Sequence, residues 1–199
     1  MKPFAALLAA ALSLPLPAAA SRALPSWSAY HGDRETALSW RAIAEQRTAD
    51  AMGHAERATA FAPTSAGAWH ALARAQIAAG SWEGAADAVA ALRRLAPDDV
   101  QALELMGRVA VELGRREDAV DAFGALDGLQ SGLAGPRVGL ALVAARLDGD
   151  VPAAIAHLRV ARERDPGLDL SGLLLRPHWK PLSDDAELIR ALTELLQSE

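Results

Sequence analysis

Large apolar, small apolar and Gly residues recur at an interval of 34 through much of this chain, and no other property narrows its fold so far. Segments 68–97 and 102–126 can be laid over one another, with Trp69 over Leu103, Leu72 over Met106, Gly80 over Gly114, Ala85 over Ala119 and Val89 over Phe123. A period of this size is that of stacked helical hairpins, each too small to bury its apolar face alone. Such arrays hold other proteins. The repeat therefore points to a mode of action without naming a partner.

Proline supplies the punctuation. Pro63, Pro97 and Pro166 close successive hairpins, and the missing stop between the last two falls at Ser131, flanked by Gly128, Gly132 and Gly135. Pro cannot continue a helix and Gly ends one at little steric cost, so both mark turns. Four units follow, at 32–65, 66–99, 100–133 and 134–168, the last with one extra residue in its turn. Ala73, Gly107, Ala85 and Ala119 are small where the two helices of a hairpin approach closely, and Gly107 is the tightest contact in this scheme.

These units resemble tetratricopeptide repeats. The second supplies Trp69, Leu72, Ala73, Gly80, Ala85, Val89 and Pro97, and the third Leu103, Met106, Gly107, Gly114, Ala119 and Phe123. The fourth matches through Gly149, Ala154, Leu158, Ala161 and Pro166, and the first, more loosely, through Leu38, Ala51, Ala58 and Pro63. The pattern departs at Gln76 and Ala110, where the family has Tyr, and at Leu92 and Leu126, where it has a small residue. The resemblance implies an all-α, right-handed solenoid of four hairpins. After residue 168 a linker carries HWKPLSDD, which resembles the tail that closes bacterial repeat proteins of this kind, with Trp179 and Leu182 docking on the last hairpin. Asp184 and Glu187 then stand in capping-box spacing before a terminal helix whose stripe is Leu188, Leu192, Leu195 and Leu196.

The first twenty residues read as a secretory signal peptide. Lys2 precedes the apolar run FAALLAAALSL, and Ala18 and Ala20 suit cleavage before Ser21. The run is shorter than the roughly 20 apolar residues of a spanning helix. A retained anchor is the alternative and the only membrane contact expected. Export to a bacterial periplasm or out of the cell follows. Residues 21–31 lack helical periodicity and read as an extended leader from which Trp27 and Tyr30 fold back onto the first hairpin.

Charge and composition exclude several functions. The formal charge is −5, which offers no basic field to a phosphate backbone, so nucleic acid is not an expected partner. Without Cys there are no disulfides, thiolate metal sites or thiol catalysis. The five His residues, His31, His54, His70, His157 and His178, include no pair at the spacing that aims two imidazoles at one zinc ion. His54 and Glu56 lie two apart and read as a solvated pair, while Asp98 with Asp99 and Asp184 with Asp185 adjoin helix starts. Neither a phosphate loop nor a nucleophile elbow is present. No catalytic residue, cofactor or metal is expected.

A binding surface is placed by helical geometry. Offsets 2, 5, 9 and 12 of each first helix lie about 200° from the stripe that faces the partner helix, at 100° per residue. In tetratricopeptide arrays that second stripe lines the concave groove, here with Trp40, His70, Arg74, Gln101, Glu104 and Arg108, joined by Arg146 from the fourth unit. Arg74 and Arg108 beside His70 and Trp40 can hold an extended peptide through its carboxylate, or each Arg can pair with a groove Glu such as Glu104. Some relatives clamp a terminal carboxylate with Asn and Lys. This chain has no Asn, and its only Lys residues are Lys2 and Lys180, outside the repeats. The reading is an exported, non-catalytic scaffold for a peptide or protein. An envelope enzyme or accessory subunit acting on cell-wall material, and a self-associating structural protein, are the alternatives.

Overall fold

A computed structural model describes residues 26–197, so the signal peptide expected over 1–20 lies outside the described residues. These residues form nine α-helices and no strand. Four hairpins pair α1 (Trp27–Ala44) with α2 (Thr48–Phe61), α3 (Ala66–Ala78) with α4 (Trp82–Leu95), α5 (Val100–Glu112) with α6 (Arg116–Leu129) and α7 (Gly135–Val143) with α8 (Val151–Arg164). A terminal helix, α9 (Ala186–Gln197), follows two short 3₁₀ turns at Leu173–Leu175 and Lys180–Leu182.

The punctuation acts as physical chemistry requires. The first helices of the second and third repeats are capped by short polar side chains: Ser65 accepts from Ala68 N at 3.3 Å and, one repeat later, Asp99 accepts from Ala102 N at 2.7 Å. Helix ends are set by Pro, whose ring drives the preceding residue out of the helical region, as at Ala62, Ala96 and Asp165. Within each hairpin the chain reverses through a left-handed residue, Gly80, Gly114 or Gly149, and in the first repeat through Gln46 at φ 58°.

The extra residue of the fourth repeat has a definite place. In three hairpins the turn closes with an N–H bonded to the carbonyl five residues back, as Arg47 to Ala42, Ser81 to Gln76 and Arg115 to Ala110. In the fourth, Asp150 bonds to Ala144, six back, and Ala144–Asp148 form a π-helical turn that absorbs the insertion.

Two apolar cores result. One joins the first two repeats through small residues such as Ala51, Ala55, Ala71 and Ala88. Ser39 is fully buried among the same helices and donates to the Ala51 carbonyl at 2.9 Å. The other core joins the third and fourth repeats to the C-terminal segment through Phe123, Leu158, Leu173, Trp179, Leu188, Leu192 and Leu195. Each such large side chain contributes on the order of 1.5–3 kcal/mol. Trp179 and Leu182 dock as expected, closing the stack.

Three local expectations are corrected. Helix α1 begins at Trp27, inside the segment expected to be extended over 21–31, because Ser26 caps it by accepting from Ala29 N at 3.2 Å. Trp27 still reaches back, its ring 5.6 Å from that of Phe61. Asp185 rather than Asp184 caps α9, accepting from Leu188 N at 2.9 Å, and Leu196 turns toward solvent instead of joining the buried stripe. A Cβ at Gly107 would meet Phe123 Cζ at 2.7 Å, and one at Gly139, in the next repeat, would meet Phe123 Cδ1 at 2.4 Å. Phe123 thus lies between α5 of its own repeat and α7 of the next.

Candidate partner-binding groove

The first helices of the hairpins, α1, α3, α5 and α7, pack on one another in sequence and form the inner row of the solenoid. In the first two repeats this row presents Trp40, His70 and Arg74, with Gln101 exposed beside them at the start of α5. Trp40 and His70 meet edge to face, ring centroids 5.1 Å apart. His70 Nε2 and Arg74 Nε are both buried without a hydrogen-bond partner. Burial, reinforced by the neighbouring Arg74 charge, pushes the His70 imidazole below its ordinary pKa.

The next two repeats present a different surface, because the chain covers it with its own C-terminal segment. Arg108 donates through Nη1 to Glu104 Oε1 at 3.2 Å and through Nε to His178 Nε2 at 3.0 Å. Nδ1 of His178 lies 2.8 Å from Glu112 Oε1, and Arg146 forks onto both oxygens of the same carboxylate at 2.6 and 2.8 Å. Arg146 also donates to the His178 carbonyl at 3.2 Å. A guanidinium only donates and a carboxylate only accepts, so His178 here is the neutral tautomer with its proton on Nδ1. Burial raises the Glu112 carboxyl, but the hydrogen bonds from Arg146 and His178 outweigh it and hold the group below its usual range.

Under this strap lies a cavity of about 460 Å³. Phe123, Leu126, Val138, Leu142, Leu168 and Trp179 give it apolar walls, and Glu104, Arg108, Arg176 and His178 stand among its polar lining.

Of the residues expected to form one groove, Trp40, His70, Arg74 and Gln101 stand on the first helices of their hairpins and make no hydrogen bond or ion pair with the strap among the described residues, while Arg108, itself bonded to Glu104, and Arg146 hold it. Pairing of Arg108 with Glu104 realises the second of the two arrangements open to it. His178 and Glu112 were not among the expected site residues. Glu112 carried one signal, since Arg146 stands 34 residues later with opposite charge. His178, outside the repeat, reads from sequence as a residue of the closing tail beside Trp179 rather than as part of the groove. His54 does not pair with Glu56; its Nδ1 lies 2.8 Å from Oε2 of Glu35 on α1, which also accepts from Arg57 Nε at 2.9 Å. Among the described residues no three His, Asp or Glu side chains gather as a metal site, and no helix is long and apolar enough to cross a membrane.

Comparison with known proteins agrees with this architecture. Residues 42–109 match the sequence profile of the tetratricopeptide repeat family. No curated protein matches the chain in sequence. Among solved structures, MamA from Desulfovibrio magneticus RS-1 superimposes with a TM-score of 0.64 at 16% identity, covering 85% of this chain and 97% of that one. TTC0263, a tetratricopeptide protein of Thermus thermophilus, gives 0.61 at 21% identity over 83% of this chain and 99% of its own. YrrB, described as a tetratricopeptide protein with an unusual peptide-binding site, gives 0.61 at 13% identity over 82% and 84% of the two chains. The chain carries tetratricopeptide repeats and folds as an all-α tetratricopeptide solenoid.

Proposed function

We propose that the chain is a non-catalytic interaction scaffold that receives an extended peptide in the uncovered part of its inner groove, holding a carboxylate of that peptide between Arg74 and His70. A contrast between two equivalent positions carries this reading. Arg74 and Arg108 stand one repeat apart, and so do His70 and Glu104. Arg108 is satisfied by Glu104 and His178, whereas Arg74 faces a histidine and keeps a buried N–H without an acceptor. An incoming carboxylate supplies in the second repeat what Glu104 supplies in the third. Such charge-assisted bonds are stronger than neutral ones and favour Arg over Lys. Trp40 offers an aromatic surface for a neighbouring apolar side chain, and Gln101 an exposed amide. Glu104, Arg108 and Arg146 fix the strap that limits the groove at its far end.

Two further observations support the reading. Repeat arrays of this kind present extended concave surfaces to their partners, and YrrB, of similar fold, is described by its peptide-binding site. The reading includes export, supported by Lys2, the apolar run behind it and the Ala18 and Ala20 pair.

Pull-down from envelope extract, compared between the parent and Arg74→Glu, tests the groove. Partners captured by the parent should be missing with Arg74→Glu at an unchanged melting temperature, and equal capture would remove the assignment. Arg108→Glu is unsuited to this purpose because it also releases His178.

A further inference from the structure

A second groove lies on the opposite side of the array, where α4 and α6 diverge above α5. Its space is about 470 Å³. Val89, Ala90, Met106, Val109, Ala110 and Leu113 give it an apolar floor and sides. Arg93 and Arg94 from α4 and Arg115 from the turn before α6 line it as well. None of these three pairs with a carboxylate among the described residues; the one polar contact of Arg93 is with Met106 Sδ at 3.6 Å. Asp118 is the single acidic residue in the lining. Other arginines of this acidic chain are paired with carboxylates, as in Arg41 with Glu45, Arg57 with Glu35, Arg116 with Asp148 and Arg137 with Asp127.

The repeat supplies an internal control. One repeat earlier the positions of Arg93, Arg94 and Arg115 are held by Thr59, Ala60 and Ser81, and one repeat later by Asp127, Gly128 and Asp150. Helix packing alone therefore does not require a cation at any of them. At these three positions the side chains are thus uncharged in the first repeat, all positive in the next, and in the one after include two aspartates.

We infer that the groove between α4 and α6 is a docking site for an acidic, apolar peptide segment of a partner protein. Apolar side chains of the segment occupy the floor while flanking Glu or Asp residues meet Arg93, Arg94 and Arg115. The partly exposed Met106 and Leu113 and the exposed Ala90 offer such a segment apolar contacts that a phosphate backbone would not use, in a groove sized for a few side chains rather than for a bilayer surface. This site is on the other face from the groove of Arg74 and does not depend on it.

Fluorescence anisotropy of a labelled peptide alternating Glu with Leu and Phe, added to the full chain carrying Arg74→Glu so that the inner groove no longer offers a carboxylate site, tests the inference. Binding should weaken about tenfold or more when Arg93, Arg94 and Arg115 are together changed to Glu, and similarly when Gln replaces Glu in the peptide. It should fall with added salt. The triple change to Gln serves if the Glu variant does not fold. The inference is overturned if the peptide fails to bind in this background or if binding survives the triple change. It is also overturned if oligo(dT) or phosphatidylglycerol vesicles displace the peptide through the same arginines as strongly as an unlabelled copy does.

Discussion

Arg108 donates through Nε to Nε2 of His178 at 3.0 Å, linking two residues 70 positions apart. The bond belongs to a continuous chain of contacts, Glu104 to Arg108 to His178 to Glu112 to Arg146, in which every charge is matched. Trp179, the next residue, is buried in the core of the last two repeats. One end of the strap is thus held by polar contacts in the groove and its neighbour by packing beneath it.

Removing the His178 imidazole leaves Arg108 and Glu112 short of a partner. His178→Ala should cost about 1–3 kcal/mol in urea denaturation. It should also speed chymotryptic cleavage after Trp179. An unchanged digestion rate would mean that Trp179 alone retains the strap.

Phe123 has Gly on both sides, so its ring sets the spacing of three helices. Gly139→Ala should destabilise by about 1–3 kcal/mol through overpacking. Phe123→Ala should remove about 3–5 kcal/mol. In a thermodynamic cycle, Gly139→Ala combined with Phe123→Leu should cost less than the sum of the two changes, because the smaller side chain can yield the room. Strict additivity would contradict the contact.

Gln46 occupies the turn position that Gly80, Gly114 and Gly149 occupy in later repeats, all with positive φ. A non-Gly residue there carries a steric penalty of about 1–2 kcal/mol. Gln46→Gly should recover part of it and raise the thermal midpoint, while Gly114→Ala should lower it. Opposite shifts in the two variants are the signature to measure.

Acid should destabilise the fold in two separable stages. Burial, then the charge of Arg74, lowers the His70 pKa, so the unfolded chain holds more protons at this site as pH falls. Its contribution is fully present above about pH 6.5 and declines below it. The carboxyls lie lower still: burial of Glu112 is outweighed by Arg146 and His178, the hydrogen bond from Arg164 leads in lowering Asp127, and that from His54 leads for Glu35. Their contribution is complete above about pH 4.3 and is lost as pH falls through the lowered folded values. His70→Gln should abolish only the first decline in melting temperature, and Glu112→Gln should reduce only the second.

Much of the fold could be read from residue spacing because the interactions concerned are local or recur. Gly80, Gly114 and Gly149 mark turns through their own backbone freedom, and Pro63 and Pro97 mark stops through theirs. The one-residue slip in the fourth repeat was visible as a change of interval, but its accommodation as a π turn was not, since either element of the hairpin could have absorbed it. The start of α1 was missed because Ser26 caps a helix whose first turn is aromatic and largely exposed, with no apolar stripe to announce it. In the groove, Arg74 and Arg108 were equivalent in sequence; whether each was satisfied depended on a segment that carries no repeat.

Sequence alone determined the helical hairpins, their register and the small residues at their contacts, because each is written in backbone preferences and in side-chain volumes that return every 34 positions. Tertiary structure decided which surfaces remain for a partner. It brings His178 onto Arg108 and covers part of the inner groove, and it sets Arg93, Arg94 and Arg115 around one outer groove. Such juxtapositions arise from stacking of repeats and from the return of the tail across them, where distance along the chain no longer measures distance in space.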